Sequence, residues 1–288
     1  MGALFALASS ISYGLSDFLG GVVSRRTSFL RVAFLGQLGG FLSTAVVAPL
    51  VSTTAPATAD LAWGGLSGVG TGLAMTFQFR GISRGAMSVV VPVSAVGGVA
   101  LPVLVGVAVL GERPTPLAWA GVAVAVPALW AVSRGRDTTG DHGNAALPDG
   151  LAAGTGIALQ YLALAQAGPD SGLWPVLAGR LTAIVAIAVL SRLLVHAVEE
   201  PARNSRRAGA RAGHGLAAAL AGALAALALT CYLLATRSEL VAVAVVLSSL
   251  YPVIPVLLGI AVLGERLTWK QSLGLGAALT ASVLIATT

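Results

Sequence analysis

Residues 102–113 read PVLVGVAVLGER and residues 255–266 read PVLLGIAVLGER, with ten of the twelve positions identical. Thr115 with Thr268 and Gly121 with Gly274 continue the match at the same spacing. Looser pairs lie upstream at Arg84 and Arg237, Arg31 and Arg180, and Tyr13 and Tyr161. Such a match marks a duplicated unit, even in a composition biased toward Ala, Gly and Val. Each copy is apolar up to a Gly-Glu-Arg turn.

The rest of the chain has the same character. Of 288 residues, 56% are apolar and 10% charged, and the mean hydropathy is +0.89. Soluble domains carry about 25% charged residues. So few charges do not cover the surface of a water-soluble globule. A soluble enzyme, a nucleic-acid binder and a secreted module are excluded, and an integral membrane protein remains. Cys231 stands alone in an apolar run, so no disulfide framework or thiolate metal site is expected. The first residues lack a basic leader region and a cleavage site, and read as a retained first helix. Lys270 is the sole Lys against sixteen Arg, a bias resembling high-GC bacterial coding, so the expected location is the bacterial plasma (inner) membrane.

A bilayer core of about 30 Å needs roughly 20 apolar residues per helix. Ten segments of that kind can be marked off between charges and Pro/Gly clusters. They run 2–23, 29–51, 61–80, 86–110 and 116–133, then 148–167, 172–195, 215–236, 240–262 and 268–287. The expected organisation is a five-helix unit over 1–133, a connecting loop over 134–147 and a second five-helix unit over 148–288.

An odd number of spans per unit makes the second copy cross in the opposite sense, giving inverted repeats. The charges agree. Loop 52–60 has no Lys or Arg, whereas its counterpart 196–213 holds Arg203, Arg206, Arg207 and Arg211. Over the whole chain Arg25, Arg26, Arg31, Arg80, Arg84, the arginines of 134–136 and 192–211, Arg266 and Lys270 fall on one side. Only Arg113 and Arg237 fall on the other. By the positive-inside rule the arginine side is cytoplasmic, and both termini are expected outside.

Two five-helix repeats, each with a Pro-rich helix, a Gly-Glu-Arg-x-x-Thr turn and a Gly-rich last helix, resemble the EamA-type members of the drug/metabolite transporter superfamily. The stretch 248–286, SSLYPVIPVLLGIAVLGERLTWKQSLGLGAALTASVLIA, is similar to the end of an EamA repeat. Residues 88–132 resemble the first copy, and Tyr13-Gly14-Leu15-Ser16 resembles the aromatic-Gly-x-Ser of the family's first helix. The resemblance implies an all-α membrane protein with ten helices around a central cavity, moving small metabolites by alternating access, often as export. In relatives of this kind both termini are usually cytoplasmic, the opposite of the charge count here. The two halves also differ, with Ala100-Leu101-Pro102 in one and Tyr251-Pro252 before Ile254-Pro255 in the other.

Candidate site residues follow from polarity within the spans. Asp17 is the carboxylate placed inside a span, about one turn from its end, and an ionisable group there is costly. It either carries a coupling proton or binds a cationic group, or else pairs at the interface with Arg25 or Arg26. Arg180 either faces the cavity and holds an anion in its donor fork, or snorkels to the interface. Ser12 and Tyr13, Gln78, Gln160 and Tyr161, Tyr232, and Ser248, Ser249 and Tyr251 are the uncharged candidates for substrate contact, the serines being open to mere helix–helix bonding. Pro92, Pro102, Pro252 and Pro255 are expected to kink helices four and nine as hinges. Glu112 and Glu265 read as structural turns whose carboxylates bind orphan amides or the adjacent Arg113 and Arg266, with gating as the other reading. Gly36, Gly40, Gly64, Gly68, Gly72 and Gly274 are expected at close helix contacts.

No Walker motif is present, so no cofactor is expected and transport is diffusive or driven by an ion gradient. The function expected is secondary transport, as an exporter of a small organic metabolite such as an amino acid, a related metabolite or a drug-like compound, with any proton coupling resting on Asp17. Its partners are that substrate, the bilayer and, through Asp17, protons, with no nucleic acid. An intramembrane enzyme lacks its groups. His142, His196 and His214 lie in loops or at a helix end, and Asp17 has no second carboxylate at its level. A structural or regulatory membrane protein without transport is the alternative.

Overall fold

The computed structural model describes residues 2–52, 56–109, 115–133, 143–164, 166–195, 208–238, 251–265 and 267–286. Among the described residues there are ten α-helices and no strand. They are α1 (Gly2–Ser24), α2 (Phe29–Val51), α3 (Thr58–Arg84), α4 (Met87–Val109), α5 (Pro116–Ser133), α6 (Gly143–Leu164), α7 (Trp174–Val195), α8 (Ala208–Ser238), α9 (Val253–Leu263) and α10 (Trp269–Ala286), with a short 3-10 turn at Pro169–Ser171.

Four stretches among the described residues are long and apolar enough to cross a membrane: Gly2–Ser24, Phe29–Val51, Trp174–Leu194 and Ala212–Tyr232. In hydrocarbon a helix satisfies all its backbone groups internally, which is why such runs fold this way. The polarity of the molecule is inside out. Leu50 is 78% exposed and Trp269 74%, while Ser9, Thr44, Ser67, Thr76 and Ser94 are buried. Apolar surface on this scale is unstable against water and suited to lipid.

Three helix starts lie three or more residues ahead of the sequence expectation, that of α3 at Thr58 rather than 61 among them. Helix α6 begins at Gly143 rather than 148, and α8 at Ala208 rather than 215. As a result Asp149 lies inside α6 and is 1% exposed, so Asp17 is not the sole carboxylate within a helix. Composition missed it because the charge stands beside the expected start of the span.

Contacts between chain-distant residues define two ends. At one end the Arg25 guanidinium donates to the Ile82 and Gly85 carbonyls at 3.2 and 3.1 Å, and Arg80 donates to Asp149 at 2.8 Å through Nε. The end of α1 therefore lies beside the end of α3 and the start of α6. At the other end the Leu173 N–H donates to Ser52 Oγ at 2.9 Å, and the Gly168 N–H to Asp60 Oδ1 at 2.8 Å. There α2 ends where α7 begins.

Helix pairing has a pattern of its own. Helix α1 packs on α8, and α6 on α3; α2 packs on α8, and α7 on α3; α4 packs on α6, and α1 on α9. Exchanging each helix for the one five places along turns every one of these pairs into another. The pairs α2 with α7 and α5 with α10 exchange with themselves.

Small residues allow this closeness, since lipid offers helices little hydrophobic drive to associate. A Cβ on Gly64 or Gly68 would strike the Pro175 or Gly179 carbonyl of α7, and one on Gly222 the Gly36 carbonyl of α2. The largest buried apolar cluster, with Val23, Phe29, Ile82, Met87, Val90 and Ala146, lies at the arginine end.

Candidate functional site

Polar side chains from both halves converge in the interior. Tyr13 and Asp17 are one turn apart on the same face of α1. The Tyr13 ring lies 6.0 Å from that of Tyr251, tilted by 53°. Asp17 is 5% exposed, and its carboxylate accepts a hydrogen bond from the Gln78 side chain of α3. Gln78 Oε1 in turn accepts from Ser94 Oγ of α4 at 3.4 Å, which orients the amide with its N–H groups toward Asp17.

Arg180 lies two turns into α7 and is 5% exposed. Its Nη1 donates to Gln37 Oε1 of α2 at 2.9 Å. Gly40 leaves room for the group, since a Cβ there would come within 3.4 Å of the guanidinium carbon. Tyr13 is within electrostatic reach of Arg180, Asp17 and Tyr232, and Tyr251 within reach of Tyr161, Asp17 and Tyr13. Four tyrosines, one carboxylate and one guanidinium thus share a single region. A site of this kind can hold a small molecule by its polar ends and stack its body on aromatic rings.

The arginine end carries a second constellation. Gly264 adopts a left-handed conformation, φ +69°, that stops α9 and lets the Glu265 N–H donate back to the Gly259 carbonyl at 3.1 Å. This turn aims the Glu265 carboxylate at the start of α4. It accepts the Met87 N–H at 3.0 Å and the Ser88 N–H at 3.0 Å, two donors that a helix start leaves unpaired. Arg25 Nη2 completes the clip at 2.5 Å from Oε1. Burial acts to raise the Glu265 pKa, but the bonds from Ser88, Arg25 and Met87 outweigh it and hold the carboxyl below its ordinary value of 4.5. Gly259 has no side chain where Glu265 folds back: a Cβ there would lie 3.0 Å from Oε2. The spacing Gly259, Gly264, Glu265 is thereby explained, and Gly106, Gly111 and Glu112 repeat it.

Asp149, the carboxylate unmarked in the sequence, pairs with Arg80 at 2.5 Å and lies 3.7 Å from Arg84. Arg80 also stacks over the Phe77 ring at 4.5 Å. These groups tie the end of α3 to the start of α6.

The EamA-like transporter family model matches this chain over residues 1–134 and again over 150–287. The chain belongs to the EamA-like transporter family. As an EamA-like protein it is a multi-pass membrane protein of a family of small-molecule transporters. One solved structure, described only as "Crystal structure of protein", is similar to it with a TM-score of 0.55 at 18% identity, covering 98% of this chain and 95% of that one. At that identity the likeness concerns the fold alone. No curated protein matches in sequence.

Of the residues singled out in this EamA-like sequence, Tyr13, Asp17, Gln78, Tyr161, Arg180, Tyr232 and Tyr251 are brought together. Arg180 is buried in the interior and does not snorkel. Asp17 takes Gln78 rather than Arg25, which is committed to Glu265. The arginine on Glu265 is Arg25, from the other half of the chain. Ser12 is buried one turn before Ser16, whose hydroxyl donates to the Ala221 carbonyl of α8 at 2.7 Å. Gln160 packs its backbone against Gly70 of α3. Pro92 and Pro102 lie within α4. Pro252 and Pro255 stand at the start of the described helix α9, where a missing N–H needs no partner. Ser248, Ser249 and Glu112 lie outside the described residues. Sequence reasoning passed over Gln37, although a lone Gln in the apolar run 29–51 was a usable signal.

Proposed function

We propose that this protein is a secondary transporter working by alternating access, exporting a small organic metabolite such as an amino acid, a related metabolite or a drug-like compound. The observation that carries this reading is that both halves contribute to one polar region, Tyr13, Asp17, Gln37 and Gln78 from the first and Tyr161, Arg180, Tyr232 and Tyr251 from the second, with Asp17, Gln37, Gln78 and Arg180 buried. A site on the seam between two halves is exposed to either side by rocking one against the other. A purely structural membrane protein has no use for two buried charges there.

The architecture belonging to this reading is ten spans in two inverted five-helix repeats, 1–133 and 148–288 joined by 134–147, around a central cavity. The exchange pattern of helix pairs supports it, as do α1 ending where α6 begins and α2 ending where α7 begins. With the arginine end in the cytoplasm of a bacterial inner membrane, both termini lie outside. The Arg25–Glu265 clip then closes the cytoplasmic end, and opening it breaks the bonds to Met87 and Ser88. Pro92 and Pro102 of α4, with Pro252 and Pro255, serve as hinge points.

Asp17 carries the coupling proton in this mechanism. The test is uptake or counterflow in proteoliposomes under an imposed pH gradient, comparing the native protein with Asp17→Asn. The variant is expected to exchange substrate but to lose accumulation driven by the gradient. Full gradient-driven accumulation with unchanged pH dependence would overturn the coupling role, and absence of flux with every compound class would overturn the transport reading.

A further inference from the structure

Arg31 of α2 and Arg192 of α7 are exposed, and among the described residues neither has a hydrogen-bond or ion-pair partner. The described carboxylates of that end, Glu265 and Asp149, are already committed to Arg25 and Arg80. Arg192 in the last turn of α7 suits the helix dipole, but Arg31 in the first turn of α2 opposes it. Helix stability alone therefore does not account for the pair.

The two arginines belong to neighbouring helices at one end of the molecule. Helix α2 packs on α7, and its end meets the start of α7 through Ser52 and Leu173. The start of α2 and the end of α7 therefore lie together at the arginine end, where Leu30 and Leu194 pack on one apolar cluster with Phe29 and Val32. Each arginine also heads an exposed apolar ridge. On α2, Phe34, Leu38 and Leu42 follow Arg31; on α7, Val189, Val185 and Leu181 precede Arg192 at the same intervals. Steps of three and four residues keep each ridge on one helix face. Eleven residues of helix span about 16 Å, roughly half of a bilayer core of about 30 Å. Each ridge thus reaches from the head groups to the depth of one leaflet.

Three occupants can be compared. A small soluble anion satisfies the guanidinium groups and leaves the ridges bare. A lipid with a zwitterionic head covers the ridges but brings its own cation to the arginines. An anionic phospholipid meets both needs: its phosphate accepts paired guanidinium N–H groups, and its chains lie along the ridges. Basic pockets between membrane helices hold anionic head groups in this way. We infer that the seam between α2 and α7 at the arginine end binds one anionic phospholipid, with its phosphate on Arg31 and Arg192 and its chains along the two ridges. This seam lies on the lipid-facing surface, apart from the polar interior, and the inference is independent of the transport reading.

The experiment titrates the full chain in detergent with phosphatidylglycerol or with phosphatidylcholine of the same acyl chains. Native mass spectrometry reads the lipid retained, and a thermal melt reads the stabilisation. One phosphatidylglycerol is expected to be retained at least about tenfold more tightly than phosphatidylcholine, and to raise the melting temperature. Arg31→Gln and Arg192→Gln should each weaken it by about fivefold, and the double variant by about 25-fold, the order expected for one and two cations at an anionic head group. Lys270→Gln removes an exposed cation of the same end on α10, which packs on α5 and α4, and should leave retention unchanged. Without added lipid the arginine variants should melt as the native protein does, since both side chains are exposed and unpaired. Equal retention of the two lipids would overturn the inference. So would an equal loss in Lys270→Gln, which would mean diffuse attraction to a basic end, and so would full stabilisation by inorganic phosphate, which would mean an ion site that does not use the ridges.

Discussion

At the Glu265 carboxylate, two backbone amides and a guanidinium converge from segments far away in the chain. The sequence marked the Glu as a turn residue that binds orphan amides, and the structure names those amides as Met87 and Ser88. Because these bonds hold its pKa below the ordinary 4.5, the carboxylate contributes stability that is fully present above that value and is lost as pH falls through the lowered one. Thermal unfolding of the native protein and of Glu265→Gln, measured across pH in detergent, should differ at neutral pH and converge in acid. A gap that stays constant down to acid pH would show that the charge contributes nothing. Asp17 and Arg180 illustrate the limit of reading single residues. Their presence in apolar runs was legible, but their partners Gln78 and Gln37 sit on other helices, and nothing local specifies which amide meets which charge.

Among the helices, the glycines divide by what lies opposite them. Gly68 of α3 faces the Gly179 carbonyl and Thr182 hydroxyl of α7, so a methyl group there has no place to go. At Gly213 of α8 a Cβ would meet no atom within 4 Å. Gly68→Ala should therefore lower the melting temperature, with overpacking costing about 1–3 kcal/mol, whereas Gly213→Ala should be nearly neutral. Equal effects in a thermal melt would mean that the α3–α7 contact is not as close as described. The helices themselves were well placed by sequence: 2–23 and 29–51 correspond to Gly2–Ser24 and Phe29–Val51. The misplaced starts are those of α3, α6 and α8, where polar residues belong to the helix. A hydropathy boundary marks where apolar character begins, and a helix continues past it as long as its backbone bonds are satisfied.

For the molecule as a whole, the charge bias and the clip concern the same end. Arg25, Arg80 and Arg84 gather there with Asp149 and Glu265, beneath which the largest apolar cluster closes the interior. If that end is cytoplasmic, Thr58→Cys on the opposite end should react with an impermeant maleimide added to intact cells, and Arg26→Cys only after permeabilisation. Both positions are exposed. Labelling of Arg26→Cys from outside would reverse the orientation and return the termini to the cytoplasm.

The sequence by itself determined the membrane class, the duplication and most helix positions, since these depend on composition, on segment length and on internal identity, all of which are local or countable. It also marked most of the polar residues of the site, because a polar group in an apolar run is conspicuous wherever it ends up. Only the tertiary structure decided that Arg25 meets Glu265, that Asp149 meets Arg80, and that Arg180 and Asp17 are each held by an amide and not by one another. Those contacts join residues on different helices, and which faces meet is decided by how closely Gly36, Gly64, Gly68 and Gly222 let the helices approach.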